Sequence, residues 1–305
     1  MEFTINCTRV PIPQGTTLYG IPVDEGLAPA SQGPVSDHVA PSRSSNDSDV
    51  LNSDERASLN REEAVPTKTK PNQRIISCNN YTIFSTFNTR TLGPLGRLEE
   101  LGVNAELQNI DIIAIQEHRL YHPKQQKKYH AVGSYQLVTS SASKNSQNST
   151  VHGNGVLLSP KASSNLLSLE PISPRIMVLE LDGNPKTTVV CVYSPCNNSP
   201  IEEIDDFYTT LRTTIEQVPP HNFLVLAGDF NAKLGPEESK FSFHSKTNRN
   251  GEMLMDFVQE FNLFISNTHF MKPKGQMWTF EYPSGTRAQL DYVIFRKKWR
   301  NSVIF

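Results

Sequence analysis

Residues 226–235 of this chain read LAGDFNAKLG, an apolar run that breaks into Asp229, Phe230 and Asn231. On a strand, positions i and i+2 share a face, so a carboxylate and an amide stand side by side while Phe230 packs the other way. Such a pair can orient a water, take its proton or hold a polar substrate atom. Four further runs put a polar group where an apolar core has no use for one. YTIFSTFN finishes in Asn88, DIIAIQE in Glu117, TTVVCVYS carries Tyr193 near its end, and QLDYVIF opens with Asp291 as its third residue. In α/β sheets, ligands bind at strand ends because rigid backbone holds the side chains there. Each residue also has a plain reading. Asn88 and Asn231 suit turns, Glu117 a solvated strand end, Tyr193 a packed ring with a wet tip, and Asp291 a turn cap. Recurrence on five separate runs argues for one shared site.

The elements that must position these groups are short β-rich runs punctuated by helical patterns, the texture of an α/β domain. Strands are expected at 81–88, 111–117, 135–140, 155–159, 177–181, 187–194, 222–231, 263–268, 277–282 and 289–295. That is too many for one ordinary sheet. Ile204, Phe207, Leu211 and Ile215 recur at helical spacing, as do Leu254, Phe257, Val258 and Phe261. A third helix around Leu95–Leu107 is interrupted by Gly96 and Gly102. Most strand runs are too continuously apolar to be half exposed, so helices should cover their outer faces.

Residues 1–75 are rich in proline and serine and show neither helical nor strand periodicity, as expected of a disordered leader. The remaining 76–305 is long enough for one sizeable core. A net charge of −2 gives no whole-chain pull toward nucleic acid. A local surface would have to supply it, with Arg296, Lys297, Lys298 and Arg300 as the best candidate, although such a run also suits a solvated face. The four cysteines, Cys7, Cys78, Cys191 and Cys196, form no CxxC pair, which speaks against zinc and a disulfide framework and for a reducing compartment. Neither a signal peptide nor a membrane-spanning run is expected.

The series FNTRTL, DIIAIQEHR, VYSP, LAGDFNAKLG, MWTF and QLDYVIF, spread over residues 81–305, resembles the endonuclease/exonuclease/phosphatase superfamily. Within it, the series is most similar to the apurinic-type endonuclease domain of LINE-type non-LTR retrotransposons, a group that includes craniofacial development protein 2-like proteins. The resemblance implies a DNase I-like four-layer sandwich, two mixed β-sheets face to face with helices outside. It also implies hydrolysis of DNA phosphodiesters with Mg2+, or Mn2+ in its place, in the nucleus, beside a reverse transcriptase domain in the full-length element. By position, Glu117 corresponds to the metal ligand and Asn88 to the amide that supports it. Asp229 corresponds to the acid that orients or deprotonates the attacking water, and Asn231 to the amide that holds the phosphate or that water. Tyr193 corresponds to the phenol that donates to a non-bridging oxygen, and Asp291 to the acid that orients a catalytic histidine.

The family pattern continues past its Leu-Asp-Tyr motif, here Leu290 to Tyr292, to a Ser-Asp-His that does not occur before Phe305. His118 would face away from Glu117 on a strand, and His152, His221, His244 and His269 sit outside any matching motif. The sequence therefore leads to expectations of a missing final strand, an exposed edge on the first run and weak turnover, since general acid/base groups contribute roughly 100-fold to 10,000-fold. Two other readings compete with a DNA-nicking enzyme. One is a catalytically silent remnant serving as a binding module; the other is the same fold acting on RNA or a phospho-metabolite. Residues 141–153 and 232–250, polar and aperiodic, are the expected DNA-contacting loops.

Overall fold

Alternation of side chains along each strand decides which layer a residue enters, and in this chain both faces of most strands are apolar. A computed structural model describes residues 82–304 together with Phe3, Thr4 and Ile75. These belong to one unit, Met1–Pro13 with Lys70–Phe305, while a second, Gln14–Thr69, lies outside the described residues. The expected leader therefore falls outside them as well, apart from Phe3, Thr4 and Ile75, as do Cys7, Cys78 and Tyr81.

The first sheet is built from β1 (Phe84–Asn88), β2 (Ile112–Gln116), β3 (Lys127–Val132), β4 (Tyr135–Ser140) and β5 (Asn154–Leu158), in the order β1-β2-β5-β4-β3. β1 and β2 run parallel and the other pairs antiparallel. The second contains β6 (Leu166–Ser173), β7 (Ile176–Leu181), β8 (Thr187–Tyr193), β9 (Phe223–Asp229), β10 (Leu263–Ile265) and β11 (Asp291–Arg296), in the order β10-β11-β9-β8-β7-β6. Here β8 and β9 are parallel neighbours and the remaining pairs antiparallel. Both sheets are mixed, as expected.

Helices form the outer layers. α1 (Arg97–Leu107) lies between β1 and β2 in the chain, α2 (Pro160–Ser164) is a short helix capped by Ser159, and α3 (Ile201–Glu216) and α4 (Arg249–Glu260) follow β8 and β9. Ile112, Ala114, Val156 and Leu158 of the first sheet meet Met177, Leu179, Val189, Val225 and Ala227 of the second in a central core. The alternate residues turn outward. Ile113, Ile115, Leu137 and Leu157 pack with Leu101 and Ala105 of α1, and Val190, Leu224 and Leu226 with Leu211 of α3 and Phe257 of α4. Phe84, Phe223 and Phe295 form an aromatic triad in the central core, with centroids 5.8–6.4 Å apart. The result is the expected four-layer α/β sandwich of DNase I type. Among the described residues no helix is long and apolar enough to cross a membrane.

Two strands of the main sheets escaped the sequence reading, and both are edges. β3 (KKYHAV) and β6 (LLSLEPIS) each keep one face wet and so lack a continuous apolar run; β6 also carries Pro171, which an edge strand tolerates. Conversely, the run at 277–282 yields only Phe280–Glu281, paired with Arg287–Ala288, and 263–268 turns into a 3₁₀ helix after Ile265. Gly102 does not break α1. A Cβ there would come within 2.6 Å of Val132 Cγ1, so the glycine lets the helix lie close on β3. β1 is an edge strand of its sheet.

Candidate active site

Parallel strands end at the same edge, and an antiparallel neighbour begins there. Register places Asn88 opposite Gln116, Tyr193 opposite Asp229, and Asp229 opposite Asp291. The ends of β1 and β2 thus face the ends of β8 and β9 and the start of β11 across the sandwich. Gly228 permits the close approach of β9 to β8, because a Cβ there would run into the Val192 carbonyl oxygen.

Two side chains tie the two sheets together at this edge, Asn88 and Tyr193. Asn88 Nδ2 donates to Glu117 Oε1 and to Asp229 Oδ2, both at 2.9 Å. Its own oxygen accepts from the Arg90 backbone N–H at 3.0 Å, so the amide presents its donor to the carboxylates and its acceptor to the following loop. Tyr193 OH donates to the same Glu117 Oε1 at 2.9 Å, and Arg119 Nη2 donates to Oε2 at 2.9 Å. Burial raises the Glu117 pKa, but the hydrogen bonds from Asn88, Arg119 and Tyr193 and the Arg119 charge outweigh it and hold the carboxyl below its usual range. Burial, with Glu117 and Asp229 close by, pushes the Tyr193 phenol well above its ordinary value. It stays a proton donor at any working pH.

The opening motif is arranged differently from a continuous strand. β9 ends at Asp229, and Asn231 takes a left-handed φ of 49°. Its backbone N–H donates to Asp229 Oδ1 at 2.9 Å, and its Nδ2 to the Ser194 carbonyl at 2.9 Å. Asp229 and Asn231 are therefore held together by a turn of the chain rather than by strand alternation, while Phe230 packs into the outer core as expected. Asp291, 5% exposed, lies beside Asp229, and its backbone N–H donates to the Thr279 hydroxyl oxygen at 3.1 Å.

Left-handed backbone clusters here. Of the eight described non-glycine residues with positive φ, five (Arg90, Glu117, Arg119, His152 and Asn231) belong to these loops. Each costs about 1 kcal/mol relative to ordinary backbone, a cost the surrounding packing must cover.

Histidines divide in a way the sequence did not reveal. His118 is fully buried: Nε2–H donates to the Asn154 carbonyl at 3.1 Å and Nδ1 accepts from Leu120 N–H at 2.9 Å. Desolvation lowers its pKa to about 3, so it is a neutral brace for the loop carrying Glu117. His152, set aside by motif matching, lies with its ring 5.8 Å from that of Tyr193. Burial and Arg175 lower its pKa, against the pull of Glu117 and Glu203. Arg175 also went unnoticed. It donates to the Tyr193 carbonyl at 3.3 Å, lies over the Tyr193 ring at 5.1 Å and pairs with Glu203 at 2.6 Å. The only sequence hint was that His152 closes the polar loop 141–153.

That loop and 232–250 are both ordered by local bonds. Ser143–Lys144 pairs with Thr150–Val151, and Asn248 both accepts from Lys233 N–H and caps α4 through Gly251 N–H, each at 2.8 Å. The basic run splits. Arg296 donates to the carbonyls of Val218, Pro219 and Asn222 and Lys298 to that of Pro220, closing the α3–β9 turn. Lys297 and Arg300 instead line a surface cavity with Lys240 and His269.

Glu117 and Asp229 offer oxygen alone, the donor chemistry of a hard divalent cation. Among the described residues no group of three or more His, Cys, Asp and Glu is placed to hold a metal, so a cation here would rest on these two carboxylates and water. Asn88, expected on the metal side, serves in this arrangement as a donor bridge.

The family model described as Endonuclease/Exonuclease/phosphatase family matches residues 85–304. Craniofacial development protein 2 of Tragulus javanicus is 27% identical over 248 residues, covering 74% of this chain and 39% of its own length. The Bos taurus protein of the same name is 28% identical over 248 residues, covering 74% and 38%. The chain thus spans under two fifths of these relatives. Among solved structures, the AP endonuclease LMAP from Leishmania major superposes with a TM-score of 0.53 at 13% identity, over 83% of this chain and 92% of that one. The 3' phosphatase NExo from Neisseria, bound to a product DNA hairpin, gives a TM-score of 0.52 at 16% identity, over 72% and 88%. At such identities the structures speak for the fold alone. The match over residues 85–304, on a four-layer sandwich of this topology, makes the chain a member of the endonuclease/exonuclease/phosphatase family.

Proposed function

We propose that this chain hydrolyses phosphodiester bonds in DNA with the help of a divalent metal ion, Mg2+ first and Mn2+ as its substitute. The observation that carries the reading is the Asn88 amide bridging Glu117 of one sheet to Asp229 of the other, with a buried phenol on the same Glu117 oxygen. Glu117, with Asp229 beside it, would hold the ion, which when bound neutralises developing charge on the phosphate and supplies an acidified water. Asp229 is fixed by Asn88 and by the Asn231 backbone N–H, so its carboxylate is aimed and can orient a water or accept its proton. Tyr193 keeps its proton and can pass its hydrogen bond from Glu117 to a non-bridging phosphate oxygen. Asn231 locks the turn, and its side-chain oxygen remains available toward water or substrate. Asp291 adds negative charge at the start of β11, suited to orienting a cationic or proton-shuttling group.

DNA as the substrate draws support from the solved relatives, an AP endonuclease and a phosphatase bound to a DNA hairpin, and from the FNTRTL, IQEHRL and GDFNAKLG motifs. The same motifs support descent from a LINE-type element, in which a nick would prime an accompanying reverse transcriptase in the nucleus. Conversion of supercoiled plasmid to the nicked form, with Mg2+ and with EDTA, tests the activity. Nicking should require the metal and drop by 100-fold or more, on the order of general acid/base effects, in Asp229→Asn. Nicking that survives both EDTA and Asp229→Asn would sink the assignment.

A further inference from the structure

Both oxygens of Glu117 carry donors, and the donors differ in how firmly they are held. Oε1 takes the Asn88 amide and the Tyr193 hydroxyl, from side chains packed into the strand ends. Oε2 takes Arg119, whose side chain is 43% exposed and is joined to Glu117 by only one intervening residue. The left-handed φ values of Glu117 and Arg119, 54° and 56°, coil this short segment back so that the guanidinium reaches the carboxylate two residues earlier. Only Nη2 is engaged in that bond, and no other acid pairs with Arg119 among the described ion pairs.

We propose that Arg119 is a tethered counter-cation for Glu117. It competes with the divalent ion for Oε2 and, when displaced, offers its guanidinium to the substrate phosphate. The inference rests on the metal reading of Glu117 given above. Before substrate arrives, Asn88 and Tyr193 cannot leave Glu117 without uncovering buried polar groups, whereas Arg119 moves into water at little cost because an exposed ion pair is weak. Arg119 therefore sets how tightly the site takes metal. A freed guanidinium retains its planar fork of donors, matched to a phosphate. The arrangement keeps the Glu117 charge compensated before the ion arrives, at the expense of affinity for it.

Mn2+ binding to the protein without nucleic acid, read from the loss of the free-ion EPR signal, tests this directly. Removing a unit positive charge next to a divalent ion at an exposed site is worth about tenfold in affinity. Arg119→Gln should therefore bind Mn2+ about tenfold more tightly than the parent, with Arg119→Lys close to the parent. At saturating metal, Arg119→Gln should also hold a short DNA oligonucleotide several-fold more weakly. Unchanged or weaker Mn2+ binding in Arg119→Gln, with binding still lost in Glu117→Gln, overturns the counter-cation role and leaves the metal site standing. Mn2+ binding indifferent to Glu117→Gln overturns the metal assignment itself, and the counter-cation role with it.

Discussion

The neutrality of His118 has a measurable price in acid. Buried between the Asn154 carbonyl and the Leu120 N–H, the ring has a folded pKa near 3 against an ordinary value of 6.5. The unfolded chain therefore binds a proton that the native state refuses. Stability rises with pH across this window: the contribution is intact above pH 6.5 and is lost progressively as pH falls toward 3. Each pH unit inside the window is worth about 1.4 kcal/mol. From neutrality to pH 5 the loss from this residue comes to about 2 kcal/mol, and by pH 4 to about 3 kcal/mol. Urea unfolding followed by tryptophan fluorescence at pH 7.5, 6 and 5 would give the slope. Other groups titrate too, so the comparison is with His118→Gln, which cannot take up the proton. The substitution should lower stability at pH 7.5 and flatten the acid limb by about 2 kcal/mol between pH 7.5 and 5. Parallel curves for the two proteins would refute the argument and return His118 to the set of residues that could shuttle protons beside Glu117.

Tyr193→Phe removes the phenolic donor from Glu117 Oε1 and should cut nicking by about 100-fold with little change in the melting temperature, the loss expected for one aimed donor; steady-state nicking rates decide. Gly228→Ala would drive a Cβ into the Val192 carbonyl at the β8–β9 seam and should destabilise by about 3 kcal/mol or more, as a backbone clash in a sheet interior has little room to relax; the shift in urea midpoint measures it. Arg296→Ala strips donors from three carbonyls closing the α3–β9 turn and should cost about 2 kcal/mol. DNA affinity at fixed salt should stay the same, and a fall in the salt dependence of binding would show that Arg296 contacts phosphate after all.

How the sequence exposed the site, and where it fell short, follows from which interactions are local. Strand ends are visible because an apolar run that stops at a carboxylate or amide leaves a sharp compositional edge. Glu117, Tyr193, Asp229 and Asn88 could each be placed at such an edge, and the parallel pairs β1–β2 and β8–β9 bring the four together. Sequence alone could not show that Asn88 turns its nitrogen rather than its oxygen to the acids, because that depends on the Arg90 N–H holding the oxygen. It also took Asp229 and Asn231 for strand neighbours, where the chain turns instead. His152 and Arg175 were missed for a related reason. Their closeness to Tyr193 comes from a β-ribbon and a hairpin bend packed against its ring, and neither shapes the pattern of its own segment. β3 and β6 hid because edge strands mix apolar and polar residues on faces that water reaches.

The amide bridge between the sheets also makes the site a gauge of how well the sandwich is closed. Asn88 sits on an edge strand, four residues along from Phe84, whose ring interlocks with Phe223 and Phe295 of the opposite sheet. A small slip of one sheet over the other would leave each strand's hydrogen bonds intact yet pull Glu117 and Asp229 out of reach of a single nitrogen. Catalytic competence should therefore fade on warming before the strands themselves melt, with the aromatic triad acting as the latch that fixes the stagger of the two sheets.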